Sequence, residues 1–255
     1  MQQKVKPVTF FFLLMVICST ILLGTSALSA SPEKKMASAP APAPVSSTMM
    51  LYENLRLDTL SLSREAFAYA MEGYKSLQAA GELSNERILS IVDFSLPSSQ
   101  KRLFILDMVS GRLLFNTLVS HGRNSGAAMA TRFSNRPESN QSSLGFYVTG
   151  DTYRGEHGYS LKLEGLEKGI NDNALMRKIV IHGATYVNEN IIAQKGYIGR
   201  SLGCPAIPDK LKTAIIDVIR NGSCLFLYGP DKKYLSRSKV LAYTSFAKSD
   251  SITAG

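Results

Sequence analysis

From residue 88 to residue 229 the apolar residues of this chain come in short runs, each broken by a turn-forming residue. The runs are "ILSIVDFSL" (88–96), "RLFILDMV" (102–109), "RLLFNTLVS" (112–120), "LGFYVTG" (144–150), "YSLKLEG" (159–165), "KIVIHGATYV" (178–187) and "GSCLFLYG" (222–229). Runs this short, and this rich in β-branched and aromatic residues, read as strands. Ser110-Gly111 is the tight turn that makes a hairpin of the second and third. Two stretches follow a helical period instead. Phe67, Ala70, Met71, Tyr74 and Leu77 share one face of a helix that Ser63 caps and Gly81 ends, and Leu211, Ala214, Ile215, Val218 and Ile219 share another that Asn221-Gly222 stops. These signals predict a mainly β or α+β domain with helices at its start and near its end. Residues 121–143 show no period, and loops of that length are usually functional or mobile.

The first thirty residues have another character. Lys4 and Lys6 precede an almost wholly apolar run from Phe10 to Leu23, and "GTSALSA" offers small residues for cleavage after Ala27 or Ala30. This is the form of an export signal. Left uncleaved, it would serve as a membrane anchor, although a full span takes roughly 20 apolar residues. Cys18 follows Val16-Ile17, bulky residues that do not suit a lipoprotein signal. The alternating Ala-Pro of "ASAPAPAPVSS" then predicts a stiff, extended tether within a linker over 31–50.

The formal net charge is +9, and loss of residues 1–30 removes two lysines and no acids, leaving +7. The cations are scattered and no basic strip is interleaved with aromatic residues, so nucleic acid is not an expected partner. Outside the signal only Cys204 and Cys224 occur. Cys224 lies in an apolar run where a free thiol packs well, and the two are read as separate thiols rather than a bridge.

The stretch "IGRSLGCPAIP" (198–208) holds two candidate nucleophiles. Gly199-Arg200-Ser201-Leu202-Gly203 fits the G-x-S-x-G elbow of serine hydrolases, which needs a helix after the serine and a histidine later in the chain. Pro205 and Pro208 forbid that helix, and the three histidines, His121, His157 and His182, all precede Ser201. The serine reading fails. Cys204 needs a base to form its thiolate, and His182 stands where an apolar strand ends beside Gly183. Gly203 lets the backbone turn so that successive N–H groups point one way, as an oxyanion site requires. Spacing alone leaves a plain Gly-Cys-Pro turn as an equal reading. No H-E-x-x-H or C-x-x-C spacing is present, so neither a metal nor a cofactor is expected.

The segment "IVIHGATYVNENIIAQKGYIGRSLGCPAI" resembles the signature of the YkuD-type L,D-transpeptidases, an Ile-His-Gly at a strand end followed by a loop and Ser-His-Gly-Cys. It is more similar to a divergent branch ending in GRS-x-GCPA, and "VSHGRNSG", "TRFSN", "QSSLGFY" and "YRGEHGYSLKLEGL" extend the resemblance upstream to about residue 88. The resemblance implies a β-rich catalytic domain over 88–230, preceded by a helical segment over 51–87 and followed by a tail over 231–255. It implies Cys204 as nucleophile, His182 as base, and the carbonyl of Gly183 as the group that orients the histidine. The oxyanion donors would be the N–H groups of Leu202, Gly203 and Cys204. Ser201, Arg200, His157 and Tyr153 are candidate substrate contacts. The implied partners are peptidoglycan stem peptides, and the implied location is the periplasm or cell envelope of an exporting cell.

Two departures stand out: Leu202 replaces the histidine of Ser-His-Gly-Cys, and Pro205-Ala206 replace the polar residues after the cysteine. Both bear on substrate choice more than on chemistry. The acceptor of the acyl group would be an amine of another stem, an amine of a wall-anchored protein, or water, the last giving a carboxypeptidase. Two rival readings remain open at this point. A sortase would use His121, Cys204 and Arg220, and an inactive wall-binding module would use none of them.

Overall fold

In the computed structural model the strands assemble into one eight-stranded sheet, and residues 47–242 are described. The expected export signal and most of the linker lie outside these residues, as do the last thirteen residues of the tail, 243–255. Among the described residues no helix is long and apolar enough to cross a membrane.

The chain opens with α1 (Ser47–Asn54) and α2 (Arg64–Ala79), followed by β1 (Ile88–Asp93), β2 (Leu103–Asp107) and β3 (Arg112–Thr117). After a long irregular stretch come β4 (Gly145–Gly155), β5 (Gly158–Gly165) and β6 (Val180–Ala184). Next in the chain are α3 (Glu189–Lys195), β7 (Ala206–Pro208), a 3-10 turn (Asp209–Leu211), α4 (Lys212–Ile219), β8 (Cys224–Tyr228) and α5 (Lys232–Leu235). The sheet order is β3-β2-β1-β8-β4-β5-β6-β7. β1 and β8 are buried along their whole length and pair in parallel at its centre, which is why both read as continuous apolar runs.

Ser63 caps α2 as expected, its Oγ accepting the Ala66 N–H at 3.0 Å. Phe67, Ala70, Met71, Tyr74 and Leu77 of that helix are buried in the core they share with the sheet. Gly73 in mid-helix costs about 1 kcal/mol of helix propensity relative to alanine. The ring of Phe146 occupies the space a Cβ would need, only 2.0 Å away, and that ring stacks on Phe226 at 4.2 Å.

α3 and β7 were not read from the sequence, and three further elements differ from that reading. The final four residues assigned to the linker, Ser47–Met50, are the first residues of α1. The second amphipathic helix begins only at Lys212, because the tighter 3-10 turn takes up Asp209–Leu211 and shifts the phase of the helix after it. Ile216 is consequently buried beside Ile215 and Ile219, while Ala214 faces solvent. The tail from Asp231, polar and weakly patterned in sequence, is docked as far as it is described. Asp231 caps α5, Tyr234 is buried, and Ser238 donates to the buried carboxylate of Glu167.

The far end of the sheet sets up the site. β6 and β7 are parallel, with His182 opposite Ala206 and Ala184 opposite Pro208. A parallel pair needs a crossover, and α3 supplies it. Asn188 caps α3 through an Ile191 N–H bond of 3.0 Å, and Gly196 at φ +79° ends it. The sheet curls until the residues after β3 meet β7. Ser120 N–H donates to Ala206 O at 2.8 Å, and Gly122 bridges to Ser201. The 121–143 stretch has no regular structure, but it is pinned by buried serines. Ser142 N–H donates to Ser125 Oγ, Gly122 N–H donates to Ser142 Oγ, and Ser142 Oγ donates to Gly203 O at 3.2 Å.

Candidate active site

Cys204 leads directly into β7, and the parallel register puts it level with the start of β6. Its Sγ receives the Val180 N–H at 3.4 Å and lies 3.7 Å from Lys178 O. Burial pushes the thiol above the ordinary cysteine range, while the Val180 N–H and the Arg177 guanidinium pull it back. The turn before it is fixed by Gly203, whose φ of +131° favours glycine. A Cβ there would also lie 3.0 Å from Gln141 O and 3.2 Å from Arg177 Nη2.

His182 is buried on β6, opposite Ser160 of β5 and Ala206 of β7. Its Nδ1 is 3.0 Å from Gly183 O. A carbonyl only accepts, so Nδ1 carries the proton and Nε2 is left with a lone pair. Burial is the main cause that lowers its pKa below the usual imidazole value, and the charge of His157 adds to it. Gly183 has no room for a side chain, because Asp209 Oδ1 and Lys212 Cδ stand 2.7 and 2.6 Å from where a Cβ would be.

Cys204, His182, Gly183, His157, Arg200, Ser201 and Leu202 all line a single open cleft of about 470 Å³. The β4–β5 hairpin brings His157 in at its tip, where its ring stacks on that of His182 with centroids 4.3 Å apart. Arg200 reaches back to Gly126 O at 3.0 Å and covers the Tyr197 ring. Leu202 is 63% exposed at the mouth.

Three of the expected site residues stand elsewhere or are already engaged. Tyr153 does not reach this cleft. It lies on β4 before the turn into β5 and lines a separate hollow with Lys162, Leu175 and Lys178. Ser201 has its hydroxyl committed to the turn itself, donating to Cys204 O at 2.6 Å and accepting the Gly203 N–H at 3.0 Å. That second bond also occupies the Gly203 N–H, so only the Leu202 and Cys204 N–H groups of the expected oxyanion trio have no hydrogen-bond partner among the described residues. The trio of a sortase is not assembled either. His121 is 0% exposed, its Nδ1 accepting from Arg102 at 2.7 Å and its Nε2 donating to Gly126 O at 3.3 Å. Arg220 ends α4, where its guanidinium pairs with Asp217, and takes no part in the cleft.

Sequence reasoning missed Tyr186 and Asp209, which also line the cleft. Asp209 had a signal in hindsight, as the acidic residue directly after Pro208 at a helix start. Among the described residues no group of three or more His, Cys, Asp or Glu side chains is placed to hold a metal ion.

The curled β-sheet thus opens a cysteine and a histidine onto one cleft. The model of the L,D-transpeptidase catalytic domain matches residues 58–228, and the chain belongs to that family. Among solved structures it is similar to an L,D-transpeptidase from Mycobacterium smegmatis, at 12% identity and a TM-score of 0.35, over 56% of this chain and 59% of that one. It is likewise similar to an L,D-transpeptidase from Xylanimonas cellulosilytica, at 15% identity and a TM-score of 0.29, over 54% and 58% of the two chains. A third is the helical cell shape determining protein Pgp2 from Campylobacter jejuni, at 15% identity and a TM-score of 0.32, over 57% and 45%. The chain spans less than two thirds of the length of each. None of the curated proteins matches it.

Proposed function

We propose that the protein is a cysteine-dependent peptidoglycan L,D-transpeptidase of the cell envelope, with Cys204 as nucleophile and His182 as its base. The observation that carries this reading is that Cys204 lines the same cleft as a histidine whose Nδ1 is held by Gly183 O, which leaves Nε2 as its basic nitrogen. Burial raises the thiol pKa and lowers that of the imidazole, and both directions favour the uncharged forms before substrate arrives. The proton therefore moves as substrate is attacked rather than beforehand.

In the first half-reaction Sγ attacks the carbonyl carbon that joins the third residue of a tetrapeptide stem to its terminal D-alanine. The thiol proton passes to His182 Nε2, and the Gly183 carbonyl steadies the imidazolium. The oxyanion is received by the N–H groups of Leu202 and Cys204, each such donor contributing on the order of 10²–10³ in rate. The C–N bond breaks, D-alanine leaves with the proton from His182, and a thioester remains on Cys204. In the second half-reaction an acceptor amine attacks the thioester, gives its proton to His182, and forms the new amide as the thiol is restored. Water in place of the amine would give a carboxypeptidase.

We assign Arg200 and His157, which line the cleft, to contacts with the stem, Arg200 through its fit to a carboxylate. Leu202 offers an apolar side chain at the position where the motif of the wider family has histidine, and we assign it a part in selecting the acceptor. The apolar segment within residues 1–30 would deliver the domain across the membrane, and the Ala-Pro linker would hold it off the surface.

The test is to incubate the full chain with a stem tetrapeptide, with and without an amine acceptor, and to follow D-alanine release and new amide. Wild type should release D-alanine and, with amine present, form the amide, while Cys204→Ala should do neither. D-alanine release by Cys204→Ala at the wild-type rate would overturn the reading.

A further inference from the structure

Arg177 is half-buried on the turn that leads into β6 and makes four hydrogen bonds to one segment. Its Nη1 donates to Ser134 O at 2.8 Å and Ser143 Oγ at 3.1 Å, and its Nη2 donates to Gln141 O at 2.6 Å and Ser139 Oγ at 3.3 Å. No carboxylate lies within salt-bridge distance of it among the described residues. Gln141 O and Arg177 Nη2 together pack on Gly203, the neighbour of Cys204. The next residue, Lys178, takes φ +55°, which an L-residue adopts only at a cost, and its carbonyl faces the thiol. The same turn thus places a guanidinium, a carbonyl and, at Val180, an N–H around Cys204.

We propose that Arg177 is a positioning residue for Cys204: it clamps the 134–143 segment against the Gly203–Cys204 turn and supplies the uncompensated positive charge that favours the thiolate. The proposal rests on the reading of Cys204 as the nucleophile. The other charged or titratable groups at the cleft are His182 and Tyr186 from β6 and the turn after it, Glu156 and His157 from the β4–β5 hairpin, Arg200 from the loop before Cys204, and Asp209 from the 3-10 turn. Arg177 Nη2 stands 3.2 Å from where a Cβ on Gly203 would lie, one residue from Cys204, and its charge acts to lower the thiol pKa.

The experiment is the rate of iodoacetamide alkylation of Cys204 against pH, read by peptide mass on the full chain. Arg177→Gln should move the midpoint of the profile upward and slow alkylation at pH 7.5 by about tenfold, the equivalent of one pKa unit. Arg177→Lys keeps the charge and should stay within about threefold of wild type at that pH, half a pKa unit or less. A merely structural role would scale the rate at every pH without moving the midpoint. The proposal is overturned if Arg177→Gln keeps the wild-type midpoint. Should Arg177→Gln not fold, it is overturned if Arg177→Lys moves the midpoint up by about one pH unit, tenfold in rate. Alkylation needs no turnover of stem peptide. An Arg177-dependent midpoint in a protein that releases no D-alanine would defeat the proposed function and leave this inference standing, and the converse result would do the opposite.

Discussion

Cys204 and Cys224 are chemically the same side chain in two surroundings. Cys224 sits inside β8 between β1 and β4, fully buried, and desolvation pushes its thiol far above the ordinary range. Cys204 is also largely withdrawn from water, yet it has a backbone N–H on its sulfur, a guanidinium nearby and an open cleft in front. The two main histidine environments repeat the contrast. His121 has both ring nitrogens engaged, by Arg102 and Gly126 O, whereas His182 has one engaged and one free for the cleft. Burial alone makes a cysteine or histidine inert, and reactivity comes from burial relieved at one chosen atom.

The sharpest way to break this contrast is to remove each sulfur in turn. Cys204→Ala should lose all measurable D-alanine release with an unchanged melting temperature. Cys224→Ala should keep turnover within about twofold but lose on the order of 1–2 kcal/mol of stability, because it leaves a small cavity in the central strands. Activity assays beside thermal melts separate the two. Next in size is the base. His182→Gln should lower kcat by about 10²–10⁴, the ordinary contribution of a positioned acid or base, whereas His121→Gln should act mainly on stability.

The pH dependence sharpens the histidine half of the comparison. On the proposed reading catalysis needs neutral His182, and burial lowers its pKa, so the acid limb of kcat/KM should fall below the ordinary imidazole pKa of about 6.5. An acid limb at or above that value would contradict the assigned environment. For His121 the folded value is about 4. The unfolded chain binds its proton near 6.5, so stability present above that pH is lost as pH falls from about 6.5 toward 4. The window corresponds to at most about 3 kcal/mol. Urea melts across it should show that loss in wild type and a flatter profile in His121→Gln. The smallest effect concerns labelling. Iodoacetamide should modify Cys204 in the folded protein and reach Cys224 only after denaturation.

Much of this was legible in the sequence because the relevant patterns are local. The Ser110-Gly111 hairpin, the Ser63 cap and the separation of the two thiols each depend on neighbours a few residues away. His182 was legible as a strand residue beside a glycine, but it was expected where the strand ends, and β6 runs on to Ala184 and holds it at mid-strand. What was not legible depends on distant packing. Tyr153 and His157 are four residues apart on one hairpin, and only the register of β4 with β5 carries one to the cleft and the other away from it. The role of Ser201 was hidden in the same way, since its hydroxyl is used up inside the turn it helps to form. α3 was readable in principle from Asn188 and Gly196, but the need for it comes from the parallel pairing of β6 with β7. Arg177 carries no motif, and its place is set by the fold of a loop more than thirty residues earlier in the chain.

The most direct test of the central claim is the intact mass of the full chain, quenched in acid during turnover of a stem tetrapeptide without an amine acceptor. The account predicts one acyl adduct, its added mass that of the tetrapeptide less one D-alanine, on wild type and on Cys224→Ala and absent from Cys204→Ala. An adduct that persists in Cys204→Ala, or that disappears only in Cys224→Ala, would contradict it.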